Sequence, residues 1–265
     1  MNSPGQKAII VAAGRGRRLG QSTDEIPKCM VRVGGRPILH WQLEALTAAG
    51  VRDFVIVRGY LGHRIDPGPF AVRFIENPAW AENNILASLM YAAHELDSGF
   101  FFSYCDIVYS RSAAARLAAT VDHPVAGSLI VDRRWADAYA GRTLHPVSEA
   151  ELTSVDQAAN AVLQVGKGAV PASSAVGEFI GLAYFSAQGG KALAAAWQQA
   201  LGAGGLDAPF GRAKTLRQAY LTDALNAIAG NGKRLAPVYI DGEWREIDTE
   251  QDLAAAEKST ALWAR

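Results

Sequence analysis

The residues with the greatest chemical potential in this 265-residue chain stand together near its start: Gly14, Arg15, Gly16, Arg17 and Arg18, followed by Pro27 and Lys28. Glycines preceded by the small residues Ala12 and Ala13 let a ligand approach the main chain, and exposed backbone N–H groups beside guanidinium charges suit phosphate. Two commoner phosphate loops are excluded by counting. A dinucleotide-binding G-x-G-x-x-G needs glycine at position 19, where Leu19 stands. A G-x-x-x-x-G-K-[ST] loop fails because Arg15 lies five before Gly20 and Gln21 follows it. What remains is G-x-G-x-R, a gap, then P-K.

Two carboxylates could serve such a loop. Asp106 ends the apolar run FFFSYCD, and Asp248 lies in EIDTEQDL, immediately before Thr249 and a helical pattern. In open α/β sheets ligands bind beyond the carboxyl ends of strands, so a pair of strand-end aspartates can share a divalent cation that holds phosphate oxygens. Asp106 alone would equally suit a surface turn, and Asp248 alone a helix N-cap. Glu250 and Asp252 read as plain acids of a helix N-terminus. Between the glycine loop and Asp106, NPAWAENNILASL opens a helix with Asn83, Asn84 and Ser88, whose amide and hydroxyl groups can read the edge of a base or cap the helix.

The loop, the P-K pair and the two aspartates together resemble the nucleotidyltransferases with a Rossmann-like fold, which activate phosphorylated small molecules by joining them to a nucleoside monophosphate. The resemblance implies that Gly14, Gly16, Arg17 and Lys28 hold the triphosphate, with Lys28 at the α-phosphate, and that Asp106 and Asp248 hold Mg²⁺. N-N-I-x-x-S-L is similar to the segment that phosphocholine and phosphonate cytidylyltransferases place against cytosine, which implies CTP, with Asn84, Ser88 and the main chain of Ala12 and Ala13 at the base. QVGKGA and GEFIG look like two late elements of that branch. They imply that Lys167 stabilises the transferring phosphoryl group and that Gly177 to Gly181 lines the acceptor pocket, with Glu178 either a supporting carboxylate or a partner for a cationic head.

The acceptor stays open between two chemistries. Trp135, Tyr139, Tyr184 and Trp244 could enclose a quaternary ammonium, although core packing explains each equally well. Arg133, Arg142, Thr143 and His145 suit a phosphonate, phosphate or carboxylate better, and they tip the reading toward a phosphonate. The expected activity is CTP-dependent transfer of CMP to a small phosphonate or phosphate acceptor with release of pyrophosphate. A sugar-1-phosphate nucleotidyltransferase using UTP or dTTP is the alternative enzyme, and a non-catalytic nucleotide-binding subunit the alternative of another class.

The elements that must position these groups alternate along the chain, which predicts an α/β fold: a mixed, mostly parallel sheet flanked by helices. Strands are expected over 8–13, 54–58, 72–75, 100–104, 125–131 and 178–185, with a last strand pair within 237–247. Helices are expected from Arg36-Pro37 to about Gly50, over 83–94, 111–121, 187–200 and 212–229, and from Thr249. Residues 132–171 break the periodicity and read as an irregular acceptor-side elaboration rather than sheet, within one domain spanning 1–265. Apolar residues make up 49%, enough for a large core, and 26 basic against 26 acidic residues leave no global field to recruit nucleic acid. Cys29 and Cys105 are too few for a disulfide scaffold. With no basic-then-apolar start and no apolar run near the ~18 residues of a membrane span, a cytoplasmic protein without membrane contact is expected. A homodimer is left open.

Overall fold

The computed structural model describes residues 6–263; the ends of the expected 1–265 domain, residues 1–5 and 264–265, lie outside the described residues. The chain opens with β1 (Gln6–Ala12), a small antiparallel pair β2 (Arg32–Val33) and β3 (Arg36–Pro37), α1 (Ile38–Ala48), β4 (Val51–Arg58) and β5 (Val72–Glu76). Then come α2 (Ile85–Met90), β6 (Phe100–Tyr104), β7 (Ile107–Tyr109), α3 (Arg111–Ala118), β8 (Gly127–Asp132) and α4 (Trp135–Tyr139). The remainder is β9 (Leu152–Asp156), β10 (Ala161–Val165), β11 (Gly177–Phe185), α5 (Ala187–Gly204), α6 (Leu221–Gly230), β12 (Leu235–Ile240), β13 (Trp244–Glu246) and α7 (Glu250–Glu257).

Nine strands form one mixed sheet in the order β10-β9-β11-β6-β1-β4-β5, with β8 pairing β11 and β12 pairing β8. β1 runs parallel to β4 and β6, and β4 to β5, while β11 is antiparallel to β6, β8 and β9. Alternation along β1 sends Ile9 and Val11 into one core with Leu86, Leu193 and Leu225 from α2, α5 and α6. Ala8, Ile10 and Ala12 enter the opposite core with Leu43 of α1 and Leu117 of α3. Covered on both faces, β1 and β6 can be apolar at nearly every position.

Several expected boundaries give way to tertiary structure. Residues 132–171 are not outside the sheet: β9 and β10 pair antiparallel and extend it past β11, and α4 precedes them. The helix expected over 83–94 is a regular turn and a half, α2, followed by a 3₁₀ turn at Ala93–Glu95. Only the second half of 212–229 is helical, because 207–220 folds as a loop whose Leu216 and Ala219 are buried under α2. The strand pair within 237–247 is two strands with different partners, β12 beside β8 and β13 beside β7.

Candidate active site

The site is built at the carboxyl ends of β1 and β6, where their chains leave the sheet. After β1, the loop turns at Gly16 in the left-handed region, φ 70°. A Cβ there would sit 2.8 Å from Cδ of Lys28, so glycine at 16 leaves room for the lysine stem to pass beneath the loop. The Lys28 ammonium then reaches Asp106 Oδ2 at 2.6 Å and Asp248 Oδ1 at 2.7 Å. Two carboxylates separated by 142 positions in sequence thus converge on one cation position.

Both carboxylates are held from behind. Gln42 of α1, fully buried, donates through Nε2 to the carbonyls of Tyr104 and Ile107, each at 2.7 Å, and so brackets the turn carrying Asp106. The Asp106 carbonyl accepts from the Ile247 N–H at 2.8 Å, which ties that turn to the end of β13. Asp248 precedes a capping box: Thr249 Oγ1 accepts from the Asp252 N–H at 3.2 Å, and Asp252 Oδ2 accepts from the Thr249 N–H at 2.9 Å. The expected helix-terminal role of Asp252 is present, and Arg142 adds an ion pair to it at 2.7 Å.

Charge alternates around the cavity above these groups. Arg18 contacts Asp248 Oδ2 and lies 3.7 Å from Glu149, whose Oε2 accepts from Lys167 Nζ at 2.9 Å. Lys167 also stacks 4.8 Å over the Tyr220 ring. The cavity is about 360 Å³ and is lined by Gly14, Gly16, Arg17, Lys28, Asn84, Ser88, Asp106, Lys167, Glu178, Trp244 and Asp248 among the residues expected from sequence.

Burial works against charge on Lys28, but Asp106 and Asp248 outweigh it and hold the ammonium well above the usual lysine range. Burial likewise pushes the Asp248 carboxyl up, and Lys28 more than offsets this, so it stays below the ordinary range. Glu178 has no such partner. Burial, reinforced by nearby Glu246, pushes it up to about 8, and it accepts from the Tyr139 hydroxyl at 2.7 Å. Glu151, buried between the Tyr104 hydroxyl at 3.1 Å and Thr222 Oγ1 at 3.4 Å, is pushed up to about 7 by desolvation.

Other expected residues lie elsewhere. Trp135 and Tyr139 pack against each other, rings 5.8 Å apart, in a small core with Leu152 and Val170 rather than lining the cavity. Arg142 is consumed by Asp252 and Glu246. His145 is 1% exposed, 3.4 Å from Asp248 Oδ2, behind the carboxylates instead of in the cavity, and burial followed by Arg142 lowers it to about 4. Tyr184 packs on Phe101 in the core. Ala12 and Ala13 lie under the loop, and the Ala13 carbonyl already accepts from the Tyr60 N–H at 2.9 Å. Asn84 and Ser88 do line the cavity; Asn84 also caps α2, its Oδ1 accepting from the Ile85 N–H at 2.8 Å, while Ser88 Oγ accepts from Asn77 at 2.9 Å.

Sequence reasoning assigned no role to Arg18, Tyr104, Glu149, Glu151, Tyr220 and Glu246, all lining the cavity. For Arg18 the signal was present: counting G-x-G-x-R from Gly14 lands on 18, and the side chain of Arg17 has no partner among the described residues. The others carry no local pattern, because pairing across the sheet brings them together. The chemistry of the donor set suits a divalent cation at Asp106 and Asp248, whose oxygens already surround the ammonium of Lys28. His145, Glu246 and Asp248 also offer ligand atoms within 4.8 Å of one another. Among the described residues no helix is long and apolar enough to cross a membrane.

Comparison with known proteins agrees with this geometry. The family model "MobA-like NTP transferase domain" matches residues 8–246. The chain is 28% identical over 255 residues to a CTP:phosphoglutamine cytidylyltransferase of Campylobacter jejuni, covering 93% of this chain and 97% of that protein. It is 29% identical over 196 residues to a 2-aminoethylphosphonate cytidylyltransferase of Lancefieldella rimae, covering 73% and 72%. In fold it is similar to the CTP:phosphocholine cytidylyltransferase of Streptococcus pneumoniae, with a TM-score of 0.75 and 21% identity over 97% of this chain and 100% of that one. Nucleotidyltransferases of this kind typically use a divalent metal. The chain belongs to the MobA-like NTP transferase domain family and is a nucleotidyltransferase.

Proposed function

We propose that the protein is a CTP-dependent cytidylyltransferase that joins CMP to a small phosphonate or phosphate acceptor. The observation that carries this reading is the convergence of Lys28, Asp106 and Asp248 in a cavity that Lys167 also lines. An acceptor oxygen attacks the α-phosphorus, a new P–O bond forms, and the bond to the β-phosphate bridging oxygen breaks as pyrophosphate leaves with its electron pair. No side-chain nucleophile is required, because the acceptor is an oxyanion near neutral pH. The protein must bring two mutually repelling anions together, and Arg17, Arg18, Lys28 and Lys167 supply the opposing charge. Asp106 and Asp248 would hold Mg²⁺, which supplies further positive charge for the triphosphate.

Glu149, Glu151 and Lys167 line the cavity from within 132–171, which supports that segment as the acceptor side. Its chemistry favours a phosphonate or phosphate without a quaternary ammonium. Trp135 and Tyr139 lie away from the cavity, and Arg17, Arg18, Lys28 and Lys167 line it.

The test is pyrophosphate release with Mg²⁺ and each of CTP, UTP, ATP, GTP and dTTP against phosphocholine, 2-aminoethylphosphonate, 2-hydroxyethylphosphonate, phosphonoformate and glucose 1-phosphate. Acceptor-dependent release with CTP is expected. Release confined to glucose 1-phosphate with UTP or dTTP overturns the proposal in favour of the sugar branch. Lys167, a quarter exposed, can be replaced without disturbing the core, so Lys167→Ala should fold and lose about 10²–10³ in rate. Turnover within a few-fold of the parent would remove Lys167 from the mechanism.

A further inference from the structure

A second cavity, about 920 Å³, adjoins the first across Lys167 and Tyr220, and neither the sequence motifs nor the reaction above accounts for it. Its rim carries Arg212 and Lys214. Both residues are exposed, and among the described residues neither side chain has a hydrogen-bond or ion-pair partner, with two carboxylates on the same cavity. One of them, Asp223, spends its oxygens on main chain: Oδ1 accepts from the Arg212 N–H at 2.8 Å and Oδ2 from the Tyr220 N–H at 2.9 Å. The other, Glu82, is largely in solvent, 3.7 Å from Arg217.

The loop presenting Arg212 is built rather than loose. Phe210 and Ala213 exchange backbone hydrogen bonds at 3.0 and 3.3 Å, closing a tight turn. Gly211 sits at φ 57°, and a Cβ there would come 2.6 Å from Asp223 Oδ1, so the turn packs directly on the carboxylate that organises it. The guanidinium Nη2 lies 3.4 Å from where a Cβ on Gly168 would be, against the turn that carries Lys167. The floor is fixed by Asn226, which bonds both the N–H and the carbonyl of Val165 at 3.0 and 2.8 Å. Lys167 therefore has a phosphoryl-transfer cavity on one side and an uncompensated guanidinium and ammonium on the other.

We infer that this second cavity binds a carboxylate carried by the acceptor, so that the acceptor is a short phosphonate or phosphate with a second anionic group. This rests on the reading of the first cavity as the cytidylyl-transfer site. The phosphoryl group lies at Lys167, and the carboxylate reaches Arg212, whose planar fork suits it, with Lys214 adding charge. A cationic acceptor head would meet like charge there.

The experiment compares 3-phosphonopropionate with propylphosphonate and 2-aminoethylphosphonate, as CMP acceptors and in equilibrium binding, for the parent and for Arg212→Met and Lys214→Met. Methionine keeps the side-chain bulk and leaves the Arg212 N–H to Asp223 in place. The parent should use 3-phosphonopropionate with a kcat/KM at least about tenfold above propylphosphonate, since a hydrogen bond to a charged group is worth a factor of about ten or more. Arg212→Met should erase about tenfold of that ratio, mostly through KM, and weaken binding of 3-phosphonopropionate to the same extent. CTP turnover that favours 2-aminoethylphosphonate, or variants that shift all acceptors equally, overturns the carboxylate subsite while leaving the cytidylyltransferase reading intact. Variants that change inhibition by pyrophosphate instead assign the cations to the leaving group and also overturn it. Failure of the parent to bind CTP in calorimetry marks the failure of the underlying reading.

Discussion

Lys28 is both a reagent and a structural ion. Its ammonium is the counter-charge for Asp106 and Asp248, at 2.6 and 2.7 Å, and it is 6% exposed. Breaking a buried ion pair on one side strands the other charge, at a cost of about 3–5 kcal/mol, somewhat less here because Asp106 is 23% open to water. Lys28→Met should therefore be less stable than the parent as well as inactive, an outcome that a purely catalytic lysine would not produce. Divalent metal should offset this: two carboxylates without their ammonium form a cation site, so millimolar Mg²⁺ should raise the Tm of Lys28→Met more than that of the parent. Thermal melts with and without Mg²⁺ measure both effects. Equal Tm values for parent and variant in the absence of metal would mean that the lysine does not support the two aspartates.

At the scale of elements, the site depends on how firmly the turn between β6 and β7 is gripped. Gln42 sits on the buried face of α1 and satisfies two carbonyls flanking Asp106, one of them Tyr104 at the end of β6 and the other Ile107 at the start of β7. Gln42→Leu preserves the helix and the volume but removes a donor from each carbonyl, leaving Tyr104 with the Ser103 hydroxyl at 2.9 Å, at a cost of up to about 1–3 kcal/mol for a buried group left unsatisfied. Chemical denaturation should report that loss, and kcat should fall more than CTP affinity, because Asp106 is displaced while the loop after β1 is not. A variant that binds and turns over CTP normally would show that the β7 to β13 pairing alone fixes Asp106. No sequence pattern points to Gln42, since a polar residue on an apolar face gives no sign of what it meets. By contrast β1 and β6 were legible because burial on both faces makes them continuous apolar runs, and the glycine loop and the aspartates were legible because ligands gather at strand ends. β9 and β10 were not: β10 is an edge strand with exposed Leu163 and Gln164, so its pattern does not alternate cleanly. The acceptor-side aromatics misled for a related reason, because Trp135 and Tyr139 give their surface to a local core under Glu178.

For the whole molecule, 26 basic residues balance 26 acidic ones, so net-charge repulsion contributes little near neutral pH and individual buried groups set the pH dependence of stability. Glu178 is pushed up to about 8 and Glu151 to about 7, both by burial. Unfolded, each would release its proton at an ordinary glutamate pKa; folded, each keeps it. Between those limits the native state binds more protons, so stability is greatest below the unfolded pKa and is lost as pH rises through the folded one, by at most about 1.4 kcal/mol per pH unit for each proton. His145 acts in the opposite sense. Burial lowers it to about 4, so its contribution is present above the ordinary histidine pKa and is lost as pH falls toward about 4. Glu246 is likewise pushed up to about 7 by burial, so one histidine opposes three glutamates and the alkaline decline prevails. Glu178→Gln separates these contributions, because glutamine can still accept from the Tyr139 hydroxyl yet never ionises. Urea unfolding from about pH 5 to about pH 9, without added divalent metal, should show the parent losing stability toward alkali and the variant losing less. The gap between them should swing toward glutamine by up to about 1.4 kcal/mol per pH unit until the pH passes about 8, and then stop widening. Parallel curves would mean that burial does not hold a proton on Glu178 in the native protein.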